Sequence, residues 1–299
     1  MPTDSHSDAE PLWRAIVWVL RITVALQCVG NWRWLTQIEE TPLLALLWGH
    51  ADVGGLGWDE SAALAAGHAI GWLTLAAGLC VLVRPTALLL VPLALLQLLF
   101  AVAMWRTGGG FALQIDWLPL PIAALFPLAT QSARIAAPLG LMLLDPWLVE
   151  RPLSPRRVSA GIGLLRWAAA LTFVAHGIEA WQHYPVHVDL LIDSLNQTLG
   201  IRLSQAAAEH ALTAFGMVDV LVALACVGTR LRWVLWWMVL WGAITAASRT
   251  LAYGWEIAWH ETATRVSHLG APLAVVLYWH LVSWSSDTAE EAEPLDKSL

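Results

Sequence analysis

Apolar runs of membrane-crossing length recur along the chain, separated by short polar connections. Eight are read as helical spans, at about 14–31, 63–83, 86–105, 116–133, 162–181, 210–229, 233–249 and 266–284. Each approaches the ~20 residues an α-helix needs to cross a bilayer. The segment "IAAPLGLMLLDPWLV" (135–149) is also apolar, but it is short and interrupted by Pro138 and Pro146. It is predicted to be an interfacial or re-entrant piece.

Composition turns this pattern into a class. Of the 299 residues 58% are hydrophobic and 13% charged, against about 25% charged in soluble domains. Mean hydropathy is +0.61. The expected fold is an all-α polytopic membrane protein in a lipid bilayer. The opening "MPTDSHSDAEPLWR" is acidic where a cleavable signal would be basic, so the first span is expected to be retained. The net charge of −7 sits mainly in loops and in the tail "SSDTAEEAEPLDKSL". That balance speaks against nucleic-acid binding, which requires a basic face. Cys28, Cys80 and Cys226 lie singly in apolar runs and read as small hydrophobes. Of the 20 tryptophans many sit at span ends as interfacial anchors, among them Trp13, Trp105, Trp147 and Trp284.

Basic residues orient the spans. Arg84, Arg134, Arg151, Arg156, Arg157, Arg230 and Arg232 fall on one set of connections, which is therefore expected to be cytoplasmic, together with both termini. The loops 32–62 and 182–209 then face outward. The two halves also resemble one another. "LAAGLCVLVR" (75–84) lies over "LVALACVGTR" (221–230), with Cys80 on Cys226 and Arg84 on Arg230 at an offset of 146. "VLR" ending at Arg21 matches "LLR" ending at Arg166 at an offset of 145. Two parallel four-helix repeats are predicted, at 14–133 and 162–284. They are preceded by an N-terminal segment, 1–13, joined by a cytoplasmic or interfacial linker, 134–161, and followed by an acidic disordered tail, 285–299.

Two stretches carry a family resemblance. "RWAAALTFVAHGIEAW" combines Arg166, Phe173 and Gly177, and "FGMVDVLVALACVGTRLR" places Asp219 ahead of Gly228 and Arg230. Both resemble the four-helix unit of the DoxX-like membrane proteins, the group that includes DoxD and MauE relatives. The first half fits more loosely, with Leu73 where the second has Asp219, and a tandem pair departs from the usual single unit. The resemblance implies a bacterial inner-membrane protein in a redox context. Members belong to thiosulfate:quinone oxidoreductases, to complexes with superoxide-detoxifying enzymes, and to amine-dehydrogenase maturation.

The repeat supplies an internal control on candidate chemistry. His176 overlies Asn31, Glu179 overlies Trp34, His210 overlies Leu64 and Asp219 overlies Leu73, so the second half is the ionisable one. His176, Glu179 and His183 share a helical face by their spacing, and ionisable groups inside a bilayer face a partner or a wet cavity. By the helical rise Asp219 lies roughly 16 Å from Arg230, where an acid pairs with a cation or stays protonated. His176, Glu179, Asp219 and Arg249 are therefore expected to converge as the catalytic group, with His210, His268, Trp255 and Arg265 as the residues that bind a cofactor. Arg249 and Arg265 are the expected partners of Asp219 and Glu179.

His183 and His187 are spaced i,i+4, but Pro185 between them argues against one regular helix, and no zinc pattern appears. No metal is expected. A lone histidine such as His68 or His268 more commonly bonds to a neighbouring helix. The leading expectation is a membrane subunit of a redox system, leaning to an oxidoreductase, with a quinone in an outward-facing pocket of the second unit. A protein partner would supply or accept electrons. A bis-histidine haem, formed by His68 or His176 with His210 or His268, is the alternative cofactor. A small-solute transporter, or an assembly factor without turnover, is the alternative function.

Overall fold

The computed structural model describes residues 9–38, 40–108, 115, 117–123, 125–146, 148 and 153–291. Among these every regular element is helical: α1 (Ala9–Gln37), α2 (Pro42–Trp48), α3 (Glu60–Val83), α4 (Ala87–Arg106), α5 (Leu120–Ala123), α6 (Phe126–Leu144), α7 (Pro155–Trp181), α8 (Pro185–Leu199), α9 (Gln205–Gly228), α10 (Arg232–Tyr253), α11 (Trp255–Thr264) and α12 (Ser267–Glu291). Six of them (α1, α3, α4, α7, α9 and α10) are long and apolar enough to cross a membrane. A seventh span results if α11 and α12, bent by 41° at their junction, are counted together. The protein is an all-helical, multi-pass membrane protein.

Local sequence sets the helix starts. Asp59 accepts from the Ser61 and Ala62 amides at the head of α3, and Ser204 accepts from Ala207 at the head of α9. Ser154 accepts from Arg157 while Pro155 occupies the first turn of α7. These side chains answer amides that have no partner inside the helix, and proline there sacrifices no bond.

The middle of the bundle is formed by α1, α6, α7 and α12. Helix α1 packs on α3 and α12, α6 on α4 and α7, α7 on α9, and α12 on α10. Ile16, Leu20, Leu141, Leu144, Leu165, Ala169 and Val275 meet in the core. Leu73, Val83, Leu88, Leu221 and Leu224 stay exposed on the flanking helices, as surfaces that lie against lipid do. Lipid is as apolar as leucine, so close packing, not water exclusion, holds such helices together, and small residues mark the contacts. Gly177 and Gly216 cross so closely that a Cβ on Gly216 would collide with the Gly177 carbonyl and lie 2.6 Å from the Trp181 amide nitrogen.

Two arginines tie helix ends together. Arg21 pairs with Asp145 at 2.7 Å and reaches the Leu82 carbonyl at the end of α3. Arg166 donates to the carbonyls of Cys226, Val227 and Thr229 at the end of α9. A cation among the unpaired carbonyls of a helix C-terminus is electrostatically favoured.

The expected helix limits need correction around the fourth span. Pro119, Pro121 and Pro127 interrupt 116–133, and the continuous helix is α6, which joins 126–133 to most of the segment expected to be interfacial. Pro138 is accommodated inside it. The boundary expected at 133/134 thus falls within a helix. Arg134, expected on a cytoplasmic connection, is buried in mid-helix at 5% exposure. The loops expected at 32–62 and 182–209 contain α2 and α8. The last helix runs on to Glu291, beyond the limit expected at 284. The rest of the acidic tail, residues 1–8, Trp147 and Arg151 lie outside the described residues.

Candidate functional site

Helix α7 ends in the segment that carries His176 and Glu179. One turn apart on one face, they bond directly, with His176 Nδ1 2.9 Å from Glu179 Oε2. The chain then reverses. His183 takes a positive φ of 55°, Pro185 starts α8, and the Tyr184 amide donates back to the Glu179 carbonyl. This turn swings the first residues of α8 over the end of α7. The His187 ring lies 6.0 Å from that of His176 and packs edge-on to Tyr184 at 5.1 Å. One ligand atom each from His176, Glu179 and His187 falls within 4.8 Å of the others. His183 points elsewhere, its Nε2 2.8 Å from Thr213 Oγ1 on α9.

Four more helices close around this group. From α12, the buried His268 sets its ring 5.3 Å from that of His176. From α10, Arg249 bonds Glu261 of α11 at 3.1 Å, and Arg265, at the α11–α12 joint, bonds the same carboxylate at 3.0 Å. A hydroxyl pair, Thr250 with Thr262 at 2.6 Å, fastens α11 onto α10. From α6, Arg134 lies near enough for its charge to act on His268 and Arg265. Arg249 acts in the same way on Glu179 and His187.

Outside the spans, the surroundings set the titration of the α8 groups. Burial, together with His176, Arg249 and Arg265, outweighs the attraction of Glu179 and holds His187 down at about 3. It is therefore neutral at ordinary pH, with a lone pair on one ring nitrogen. Burial, reinforced by Glu179, raises the Tyr184 hydroxyl, which stays protonated.

The expected site residues divide into two groups. His176, Glu179, Arg249, Arg265 and His268 meet in one cluster. Asp219 has a different environment: its Oδ2 accepts from Trp241 Nε1 at 3.1 Å, and its Cβ packs against Gly177, on the neighbouring face of α7. Nor do the arginines take the partners expected of them, since Glu261 holds both Arg249 and Arg265. His210 is exposed on α9 and bonds back to the Ala206 carbonyl, and Trp255 is exposed and stacked on Trp259. His68 is exposed beside a cavity of about 230 Å³ between α1, α2 and α3. His176 and His268, one of the pairs expected for a haem, have their rings 5.3 Å apart and tilted by 48°.

Sequence reasoning missed His187, Arg134 and Glu261 as members. Pro185 was the available signal for His187: a proline that bars one helix through His183 and His187 also starts a new one, in this case directed back onto α7. Arg134 is followed by the apolar run from Ile135 to Leu144, which could have marked it as a cation inside a helix rather than at a helix end.

Two imidazoles and a carboxylate are a donor set that divalent metals accept. Three neighbouring guanidinium groups oppose further positive charge, however, and the surroundings favour a negatively charged group. The chain matches no family model, and no curated protein or solved structure is significantly similar to it.

Proposed function

We propose that the chain is an integral membrane subunit of a redox system, acting on a quinone-type substrate with His176 and Glu179 as its proton-accepting pair. The observation that carries this reading is the 2.9 Å bond between His176 Nδ1 and Glu179 Oε2 in the bundle. A carboxylate on one ring nitrogen orients the imidazole and strengthens it as a base, which leaves Nε2 for the substrate. Oxidation of a quinol releases two protons and two electrons. The protons pass to His176 and the polar groups around it, and the electrons pass to a protein partner. Purified protein is expected to carry quinone in its lipid extract, and His176→Ala and Glu179→Gln to lose it while inserting and melting normally. Quinone-free wild-type protein, prepared from quinone-replete membranes, refutes the reading.

The proposal includes a DoxX-like tandem of eight spans in the bacterial inner membrane, with both termini cytoplasmic. Helix α6, with 19 residues and so about 28 Å long, supplies the eighth span beside the six long helices and the α11–α12 pair. Like pairings in the two halves support the repeat: α1 with α3 and α7 with α9, then α4 with α6 and α10 with α12. So do Arg21 and Arg166, which reach the ends of α3 and α9 respectively. Reporter fusions after Trp58 and after Gln197 are expected to read as outside.

Transport of a small solute is the second reading, favoured by the charged side chains from α6, α7, α10 and α11 that meet inside the bundle. Proteoliposomes that move protons or solute without any quinone would select it.

A further inference from the structure

The charges of the cluster do not balance. Arg134, Arg249 and Arg265 lie near enough to act on one another. Glu261 alone bonds Arg249 and Arg265, and Glu179 is taken by His176. Arg134 is the third cation. Helix α6 is enclosed by α1, α4, α7 and α12, and among the described residues no carboxylate bonds this guanidinium. Its Nε has no hydrogen-bond partner, and neither has Nε2 of the neighbouring His268. Both residues are only 5% exposed. The Gln27 amide that reaches this turn of α6 bonds the Arg134 carbonyl and leaves the guanidinium unanswered. One turn further along α1, both amide atoms of the buried Asn31 also have no partner.

Exposure is graded through the cluster. The side chains of His176 and Glu261 are 32% and 29% exposed, those of Arg249 and Arg265 are 16% and 19%, and Arg134 and His268 form the floor. Exposure thus falls from the carboxylate and imidazole at the outer side of the cluster to the unpaired guanidinium on its inner side. A charge buried without a counter-ion is strongly disfavoured, and folding alone gives no reason to keep one there. The planar fork of a guanidinium is matched by an oxygen pair, as on a carboxylate or a tetrahedral oxyanion.

We propose that Arg134, with Arg265, Arg249 and His268, forms a binding site for a small oxyanion, whose charge completes the cluster. The site stands apart from the quinone reading, because it takes a different ligand through different residues. The anion is either a free solute or the phosphate of a lipid headgroup reaching the cluster from its more exposed side.

The test uses the full chain in neutral detergent without phosphate, titrated with inorganic phosphate, sulfate and acetate at constant ionic strength, with chloride as the control. Binding is read by calorimetry and by the melting temperature. At least one oxyanion is expected to bind saturably where chloride does not, and Arg134→Gln to weaken it by about tenfold or more. Arg202→Gln, at an exposed position away from the cluster, is expected to leave binding unchanged. Without anion, Arg134→Gln is expected to melt no lower than wild type, because it removes an unpaired charge. A purely structural arginine would instead lower the melting temperature. Tightly held phospholipid that phosphate displaces identifies the headgroup as the source, and saturable binding to lipid-free protein identifies a free solute. Absence of saturable oxyanion binding, equal binding of chloride, or unchanged affinity in Arg134→Gln overturns the proposal. If Arg134→Gln does not fold, Arg265→Lys carries the test, with the same weakening expected.

Discussion

The Arg21–Asp145 pair at the opposite end of the bundle permits a sharp experiment. Asp145 is fully buried, Arg21 is 4% exposed, and their contact of 2.7 Å joins α1 to the end of α6. Replacing Asp145 with leucine leaves a buried guanidinium without its carboxylate. Breaking one side of a buried pair costs about 3–5 kcal/mol. Arg21 keeps the Leu82 carbonyl at 3.4 Å and the Trp18 ring at 5.4 Å, which places Asp145→Leu at the lower end, about 3 kcal/mol. Arg21→Met takes the Arg21 cation away from a carboxylate at a helix C-terminus, where the helix dipole opposes negative charge, and is also expected to destabilise the protein. The double variant buries two apolar groups and is expected to lie within about 1 kcal/mol of wild type. The assay is reversible unfolding in mixed micelles, followed by tryptophan fluorescence on all four proteins. A coupling below about 0.5 kcal/mol, with the single losses simply adding, would refute the reasoning, since independent sites behave that way.

Other positions give further expectations. Gly216→Ala forces backbone apart at the Gly177 crossing and should destabilise the protein by about 1–3 kcal/mol, read as a lower melting temperature. Trp241→Phe removes the indole donor from Asp219, whose Oδ1 already lacks a partner, and should cost about 1–3 kcal/mol; Trp241→Phe combined with Asp219→Leu should recover most of the loss. His187 is held near 3 in the folded chain and returns to about 6.5 on unfolding. The unfolded chain therefore binds the extra proton between these values, and stability is full above about pH 6.5 and falls as the pH drops toward 3. Since the ring keeps partial exposure, His187→Gln should remove only part of this slope in melts at stepped pH. An unchanged slope in that variant would contradict the burial argument.

The sequence disclosed the class of fold and one bond of the site, and the reasons for each success and failure are local. Apolar length alone located α3, α4, α7, α9 and α10, because a bilayer tolerates few other structures. Helix α6 was misplaced because its polar half, with Thr130, Gln131, Ser132 and Arg134, lowers its hydropathy, and because the prolines before it and within it look alike. Those at 119, 121 and 127 precede or begin the helix, whereas Pro138 sits inside it, with neighbouring helices to absorb the lost bond. The His176–Glu179 contact followed directly from i,i+3 spacing. Its partners came from tertiary structure: His187 from a reversal at a positive-φ residue, and Glu261 from the fold of α11 onto α10. Asp219 packs against Gly177 at the α7–α9 crossing but takes its hydrogen bond from Trp241 of α10. Spacing along one helix says nothing about which face a neighbouring helix offers.

The position of α6 also bears on how the protein is made. The insertion machinery meets helices one at a time, and an arginine at mid-helix raises the cost of entering lipid by about 2.5–3.5 kcal/mol. Among the described residues, no carboxylate that precedes α6 bonds Arg134, and two of the helices packed on α6, α7 and α12, emerge later. As the eighth span proposed above, helix α6 would wait at the translocon, or sit poorly seated, until the second half of the chain arrives. The two halves are consequently not separable products. A nascent chain halted after α6 would carry an unshielded cation in the bilayer, and membrane quality control would recognise it as unfinished.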